Sequence, residues 1–259
     1  MKKESIDHGK EFDWGRASRD YAKYRDIYPP EFYERIVELN LCVGGQRVLD
    51  IGTGTGVLPR ALRKYGAEFT GADIAQSQID EALKLSAGTG IEYIVSAAEE
   101  IDCPDGCFDV VTASQCFMYL NEAAALKNVH RMLKANGHFL IVFTYWLPEE
   151  SAVARESEGL VLKYNPAWTG GGRRRQNVYV PAAINGLFTV QNEITYDMDI
   201  SFTRDSWRGR MRACRGTGAS YLGQEQLKAF DAELCAYLEA VPEPFEIRHY
   251  VTMLDLKKI

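Results

Sequence analysis

The sequence contains no run approaching the roughly 20 consecutive apolar residues that a membrane-spanning helix requires. Its opening, MKKESIDHGKEFDWG, lacks the apolar stretch of a secretory signal. The expected location is therefore the cytoplasm, with no membrane partner. Cysteine is scarce: six residues (Cys42, Cys103, Cys107, Cys116, Cys214, Cys235) are scattered over 259 positions, in a chain long enough to fold without covalent staples, and they read as reduced thiols. Positive charge is not in excess either. With 36 acidic and 30 basic residues the net charge is -6, so nucleic acid is not the default partner, although a local basic patch is still allowed. No glycine loop ends in the Gly-Lys-Ser or Gly-Lys-Thr of a triphosphate cradle. What is present is 46% hydrophobic residues, ample for the core of one large α/β domain or two small ones.

From Arg47 to about Thr144, short apolar runs alternate with segments of helical period, a rhythm that predicts a parallel sheet with crossover helices on both faces. The runs are 47–51, 68–74, 91–96, 108–113 and 138–145, and several are apolar without alternation, as strands covered on both sides are. Ile79, Ala82 and Leu83 share one helical face. Leu126, Val129, His130 and Leu133 share another, with Asn136-Gly137 expected to end that helix. His130 reads as a core histidine. Before the first strand, Tyr21, Tyr24 and Tyr28 predict a helix stopped by Pro29-Pro30, and Phe32, Ile36 and Leu39 a second one. The expected organisation is a single domain over 1–259, with an N-terminal helical arm at 1–40, a core at 41–145 and an insertion with an arginine-rich helix at 146–220. A helix carrying Leu227, Phe230, Leu234 and Leu238 and a final strand complete the sheet over 221–259.

The most informative segment is VLDIGTGTGVLP, from Val48 to Pro59: a strand, a glycine-rich turn and a helix start. Glycines there permit a tight bend and a close ligand approach. The dinucleotide fingerprint places its third glycine where this sequence has Val57, and here it comes one residue early at Gly56. Asp50, just before the turn, would repel a pyrophosphate. Asp73 follows Gly52 by 21 positions at the end of the second predicted strand, where a carboxylate can accept from both hydroxyls of a ribose. The pocket is suited to a nucleoside.

These residues resemble the class I S-adenosylmethionine-dependent methyltransferases: VLDIGTGTGVL for the cofactor loop, Asp73 in GADIAQSQID, FDVVTASQCFMYL for the fourth strand and LKNVHRMLKANGHFLIV for the following helix and strand. The resemblance implies a Rossmann-like seven-stranded sheet, mostly parallel with the last strand antiparallel. It also implies S-adenosylmethionine as cofactor, with S-adenosylhomocysteine as product. By the same resemblance Gly52, Thr53, Gly54 and Gly56 line the methionine part and sugar of the cofactor, and Asp50 is counted among the cofactor-binding residues. Asp73 and Ile74 hold the ribose and flank adenine, Ala98 and Glu99 lie by the adenine amino group, and Ser114 and Gln115 meet the sulfonium. Many relatives carry an acid at the place of Ala97, so adenine recognition here falls to the backbone or to Glu99.

The fourth-strand end reads Ser-Gln-Cys-Phe, without the Pro-Pro-aromatic signature of enzymes that methylate amino groups of adenine or glutamine or the Pro-Cys pair of cytosine methylation. A small-molecule acceptor is favoured over a DNA base, and Cys116 reads as a small buried residue. No catalytic base stands out among Tyr21, Tyr24, Tyr119 and Tyr145. The segment DWGRASRDYAKYR resembles the arm of a small-molecule subgroup that includes enzymes acting on carboxylic acids, with Tyr21, Tyr24 and Arg25 at the matching positions. Arg204, Arg208, Arg212 and Arg215 fall on one side of a predicted helix, which suggests an anionic acceptor or, less favourably, RNA. Arg173, Arg174 and Arg175 follow TGGG as a mobile lid. Cys103 and Cys107 read as a turn and no metal is expected. The leading expectation is a methyltransferase of a small, anionic metabolite. A non-catalytic S-adenosylmethionine-binding module, an RNA methyltransferase and a nucleotide-linked oxidoreductase stay open.

Overall fold

The computed structural model describes the chain from Met1 to Ile259. In chain order its helices are α1 (Ser18–Tyr24), α2 (Pro30–Glu38), α3 (Val57–Leu62), α4 (Gln76–Leu85), α5 (Glu122–Met132), α6 (Ala152–Tyr164), α7 (Arg204–Arg212) and α8 (Gln224–Leu238). Its strands are β1 (Arg47–Ile51), β2 (Glu68–Asp73), β3 (Glu92–Val95), β4 (Phe108–Ser114), β5 (Leu133–Trp146), β6 (Phe188–Phe202) and β7 (Phe245–Lys258). The strands form one sheet in the order β3-β2-β1-β4-β5-β7-β6, mostly parallel with one antiparallel strand. This is the Rossmann-like arrangement that the family resemblance implies. The chain divides into two compact units, one of Tyr28–Thr144, Asn177–Tyr196 and Val251–Ile259, the other of Met1–Ile27, Tyr145–Gln176 and Asp197–Tyr250.

The first of these units holds β1 to β4 and the candidate site. β1 lies between β2 and β4, with Asp50 opposite Gly71 on one side and Thr112 on the other. Val48, Leu49 and Ile51 are fully buried, as are Val111, Ala113, Phe139, Leu140 and Val142, because a central parallel strand is covered on both faces. With β2 and β4 on opposite sides of β1, their carboxyl ends flank the point where the strand order reverses, the place where open α/β sheets bind ligands. β3 is the outer strand, and its Ile94 and Val95 are exposed.

Two local expectations need correction. The first helix stops at Tyr24, leaving Tyr28 outside it. Pro29 is extended and Pro30 opens α2, where a missing N–H costs nothing. α5 ends at Met132, so Leu133 belongs to β5 and not to the helical face it shares by spacing. Asn136, at φ +62, sits within the irregular start of β5, where the pairing with β4 jumps from Phe108–Leu133 to Val110–His138. The Asn-Gly pair therefore serves a bulge-like irregularity rather than a helix end.

In the other unit α1 packs on α7, and α6 and α7 pack on α8. α7 starts with a capping box in which Thr203 Oγ1 accepts from Ser206 N, and α6 is capped by Ser151. Trp207 is fully buried and donates to Ser157 Oγ at 2.9 Å. Phe230, Leu234 and Leu238 form the buried stripe of α8.

Candidate functional site

β1 runs straight into a turn in which Gly52, Gly54 and Gly56 take φ of +62, +55 and +77, the left-handed region that side chains resist. Contact also matters at two of them. A Cβ on Gly52 would stand 2.5 Å from Cys116 Cβ, and one on Gly56 would strike the Tyr93 hydroxyl. The turn is pinned to β2: Thr53 N donates to Ala72 O at 2.9 Å, and Gly54 N donates to Asp73 Oδ2 at 2.9 Å. The second oxygen of Asp73 accepts from Ala75 N at 2.9 Å. Turn and carboxylate, 21 residues apart in sequence, thus meet directly.

Asp50 is sealed beneath this turn at 2% exposure. Its two oxygens accept from Thr53 Oγ1 at 2.7 Å and Thr112 Oγ1 at 2.6 Å. Burial pushes its pKa up to about 6, against the pull of the two threonine hydroxyls, and the neighbouring Asp73 adds to the rise. Burial also raises Asp73, opposed by the backbone donors of Ala75, Gly54 and Ile74. Asp50 therefore acts as an internal brace, while Asp73 keeps unused lone pairs beside the glycines. Ile74 is 54% exposed.

At the end of β4, Ser114 is half-buried and Gln115 takes φ +61, a strained setting for a residue with a side chain. Two bonds hold it there: Gln115 N donates to Val142 O at 2.9 Å and Gln115 Nε2 to Thr144 O at 2.6 Å. Cys116 follows, buried, with its thiol donating to Ile51 O. Burial raises that thiol well above its ordinary range, so it is a poor nucleophile. Tyr119 closes the short turn Phe117–Tyr119. Ala98 is buried and its carbonyl accepts from Asn128 Nδ2 at 2.9 Å, while Glu99 Oε1 accepts from Asn121 N at 2.6 Å, at the start of α5.

Apart from Tyr119, the residues expected around the acceptor lie in the unit that carries α1, α6, α7 and α8. Tyr24 is buried, its ring filling the space above Gly209 and its hydroxyl donating to Asp205 at 3.0 Å. Tyr21 carries the Arg25 guanidinium over its ring at 4.6 Å. Tyr145 does the same for Arg173 at 5.2 Å. The arginines of α7 are engaged within the fold. Arg204 donates to Val241 O, Arg208 pairs with Asp231, and Arg212 pairs with both Asp20 and Asp231. Arg215 lies beyond the helix end and pairs with Asp7. Arg174 and Arg175 are tied to Glu149, Glu150 and Asp197.

Sequence reasoning passed over Thr112, Tyr93 and Asn128. Thr112 was recoverable only through strand register, since it lies opposite Asp50 on β4. Tyr93 fills the space that Gly56 and Gly71 leave open. Asn128 holds the 98–101 segment through Ala98 O and Ile101 O.

Residues 49–141 match the profile described as a methyltransferase domain. The chain is 33% identical over 134 residues to a methyltransferase of Dictyostelium discoideum, an alignment covering 52% of this chain and 49% of that one. It is 39% identical over 149 residues to the ubiquinone biosynthesis O-methyltransferase of Bradyrhizobium diazoefficiens, covering 56% and 58%. The chain thus spans about half the length of these relatives. The YcgJ protein of Bacillus subtilis shares the fold, with TM-score 0.53 and 18% identity over 88% of this chain and 98% of that one. Residues 49–141, the stretch that matches a methyltransferase domain, carry the glycine turn, Asp50 and Asp73.

Proposed function

We propose that this protein transfers a methyl group from S-adenosylmethionine to a small-molecule acceptor. The observation that carries the reading is the hydrogen bond from Gly54 N to Asp73 Oδ2, which sets a carboxylate with spare acceptor capacity against a turn whose three glycines present bare backbone. Such a cradle fits an adenosine: Asp73 accepts from ribose hydroxyls, Ile74 offers apolar surface to the adenine, and the backbone of 52–56 admits a close approach. Ala98 and Glu99 supply the backbone and carboxylate nearest the adenine side, and Ser114 and Gln115 form the end of β4 toward the sulfur. Bound there, S-adenosylmethionine supplies a methyl carbon already activated by its positive sulfur. The protein's share is alignment of the acceptor and exclusion of water, and no dedicated base is assigned. Gln115, clasped to β5 in a strained conformation, fixes the strand end for that alignment.

The small-molecule acceptor draws support from the relative named for ubiquinone biosynthesis. For an anionic acceptor, the supporting residue is Arg173 stacked on Tyr145; Arg208 and Arg212 already face carboxylates. Titration calorimetry with S-adenosylmethionine, S-adenosylhomocysteine and NAD tests the cofactor. Both sulfur nucleosides should bind the unaltered protein and lose at least about tenfold in affinity in Asp73→Ala, the effect of one charge-assisted hydrogen bond. Binding of NAD alone would overturn the reading. A screen with labelled methyl groups across metabolites then identifies the acceptor, and a blank result with every acceptor, alongside intact nucleoside binding, would favour a non-catalytic binding module.

A further inference from the structure

The turn Cys103-Pro104-Asp105-Gly106-Cys107 leads into β4 and takes no part in the reading above. Its two half-exposed cysteines bring their sulfurs to 3.2 Å, with the Cys107 thiol donating to Cys103 Sγ. The turn is held in this shape from α5. Arg131 Nη1 donates to Cys103 O at 2.5 Å and to Asp105 Oδ1 at 2.9 Å, and Gly106, at φ +64, donates its N–H to Arg131 O. The other thiols are differently placed. Cys42, Cys116 and Cys214 are buried, the latter two donating to Ile51 O and Arg210 O. Cys235 is the single cysteine of α8.

We propose that Cys103 and Cys107 form a reversible thiol–disulfide site that reacts with low-molecular-weight disulfides such as oxidised glutathione. One cysteine thiolate attacks a glutathione sulfur, breaking its S–S bond and expelling one glutathione thiolate. The second cysteine then attacks the protein sulfur of the mixed disulfide and expels the other. Two cysteine thiols become one S–S bond, one glutathione disulfide becomes two glutathione thiols, and the two cysteine protons pass to the departing thiolates. The sulfurs need only close from 3.2 Å to roughly 2.05 Å, and their pre-alignment makes the second step effectively unimolecular. Burial, followed by the hydrogen bond with Cys103, pushes the Cys107 thiol up to about 11, which leaves Cys107 as the resolving thiol.

The test equilibrates the full chain in glutathione buffers from reducing to oxidising, alkylates the remaining thiols and reads intact mass and mapped peptides. The expected result is the loss of two alkylation sites at the oxidising end, mapped to a Cys103–Cys107 bond and restored by dithiothreitol. Cys107→Ser should instead retain a glutathione adduct on Cys103. Six alkylated thiols at every poise, a lasting glutathione adduct on the unaltered chain, or a disulfide mapped to another pair would each overturn the proposal. None of these readouts depends on methyl transfer.

Discussion

Asp50 carries its charge under a lid of backbone with only two hydroxyls as donors, and the consequence is a pH dependence of definite sign. Its folded pKa, about 6, lies above the ordinary 3.8. The stability it contributes is thus fully present below about pH 3.8 and is lost as pH rises through 6. Asp50→Asn removes this dependence. Urea midpoints should show the variant gaining on the unaltered protein across that window, by at most roughly 3 kcal/mol, whereas parallel curves would show that the carboxylate ionises freely. At Gly52 the limit is steric. Gly52→Ala combines a left-handed φ with a Cβ 2.5 Å from Cys116 Cβ, so a loss of about 2–4 kcal/mol is expected in the same assay. Which residues meet was partly legible beforehand: the distance from Gly52 to Asp73 along the chain encodes one strand-helix-strand crossover, and the fold closes it. Thr112 was not legible in this way, because its partnership with Asp50 arises from the β1–β4 register and carries no local signal.

The parallel strands were readable as elements because covered strands need unbroken apolar runs, and β1 matches its predicted run residue for residue. The α5–β5 junction was not. Leu133 continues the helical spacing of Leu126 and Val129, yet it pairs with Phe108 of β4, since tertiary pairing outweighs periodicity at an element's last turn. Asn136 then accommodates the irregularity at φ +62. Asn136→Gly should leave the melting temperature within a few degrees of its original value, while Asn136→Val should cost about 1–2 kcal/mol, because a β-branched side chain resists that conformation. Equal effects of the two substitutions would show that the backbone there relaxes. α7 teaches a second lesson about elements. Four arginines on one predicted face suggested a surface for an anionic ligand, but Arg208, Arg212 and Arg215 meet Asp231, Asp20 and Asp7, acids distant in sequence, and the Arg204 side chain donates to Val241 O. Helical spacing shows which residues share a face and is silent about what that face meets.

For the molecule as a whole, a net charge of -6 and the pairing of Arg208 and Arg212 with carboxylates argue against the salt-sensitive phosphate contacts that nucleic-acid binding relies on. Fluorescence anisotropy with single-stranded and hairpin RNA should therefore detect no association at physiological salt, and a steep loss of signal with added salt would revive the RNA reading. The parallel core strands follow from sequence rhythm because they depend on one repeated strand-helix unit. The 146–220 region was harder to read, because its ion pairs and aromatic packing join segments with no common period. The outer edge of the sheet has one further consequence. β3 is short, ends the strand order and leaves Ile94 and Val95 open to solvent, so its free backbone groups and greasy rim invite strand-to-strand adhesion between molecules in concentrated preparations. Placing a lysine there, as in Val95→Lys, should delay turbidity on prolonged storage, a practical gain for handling the protein.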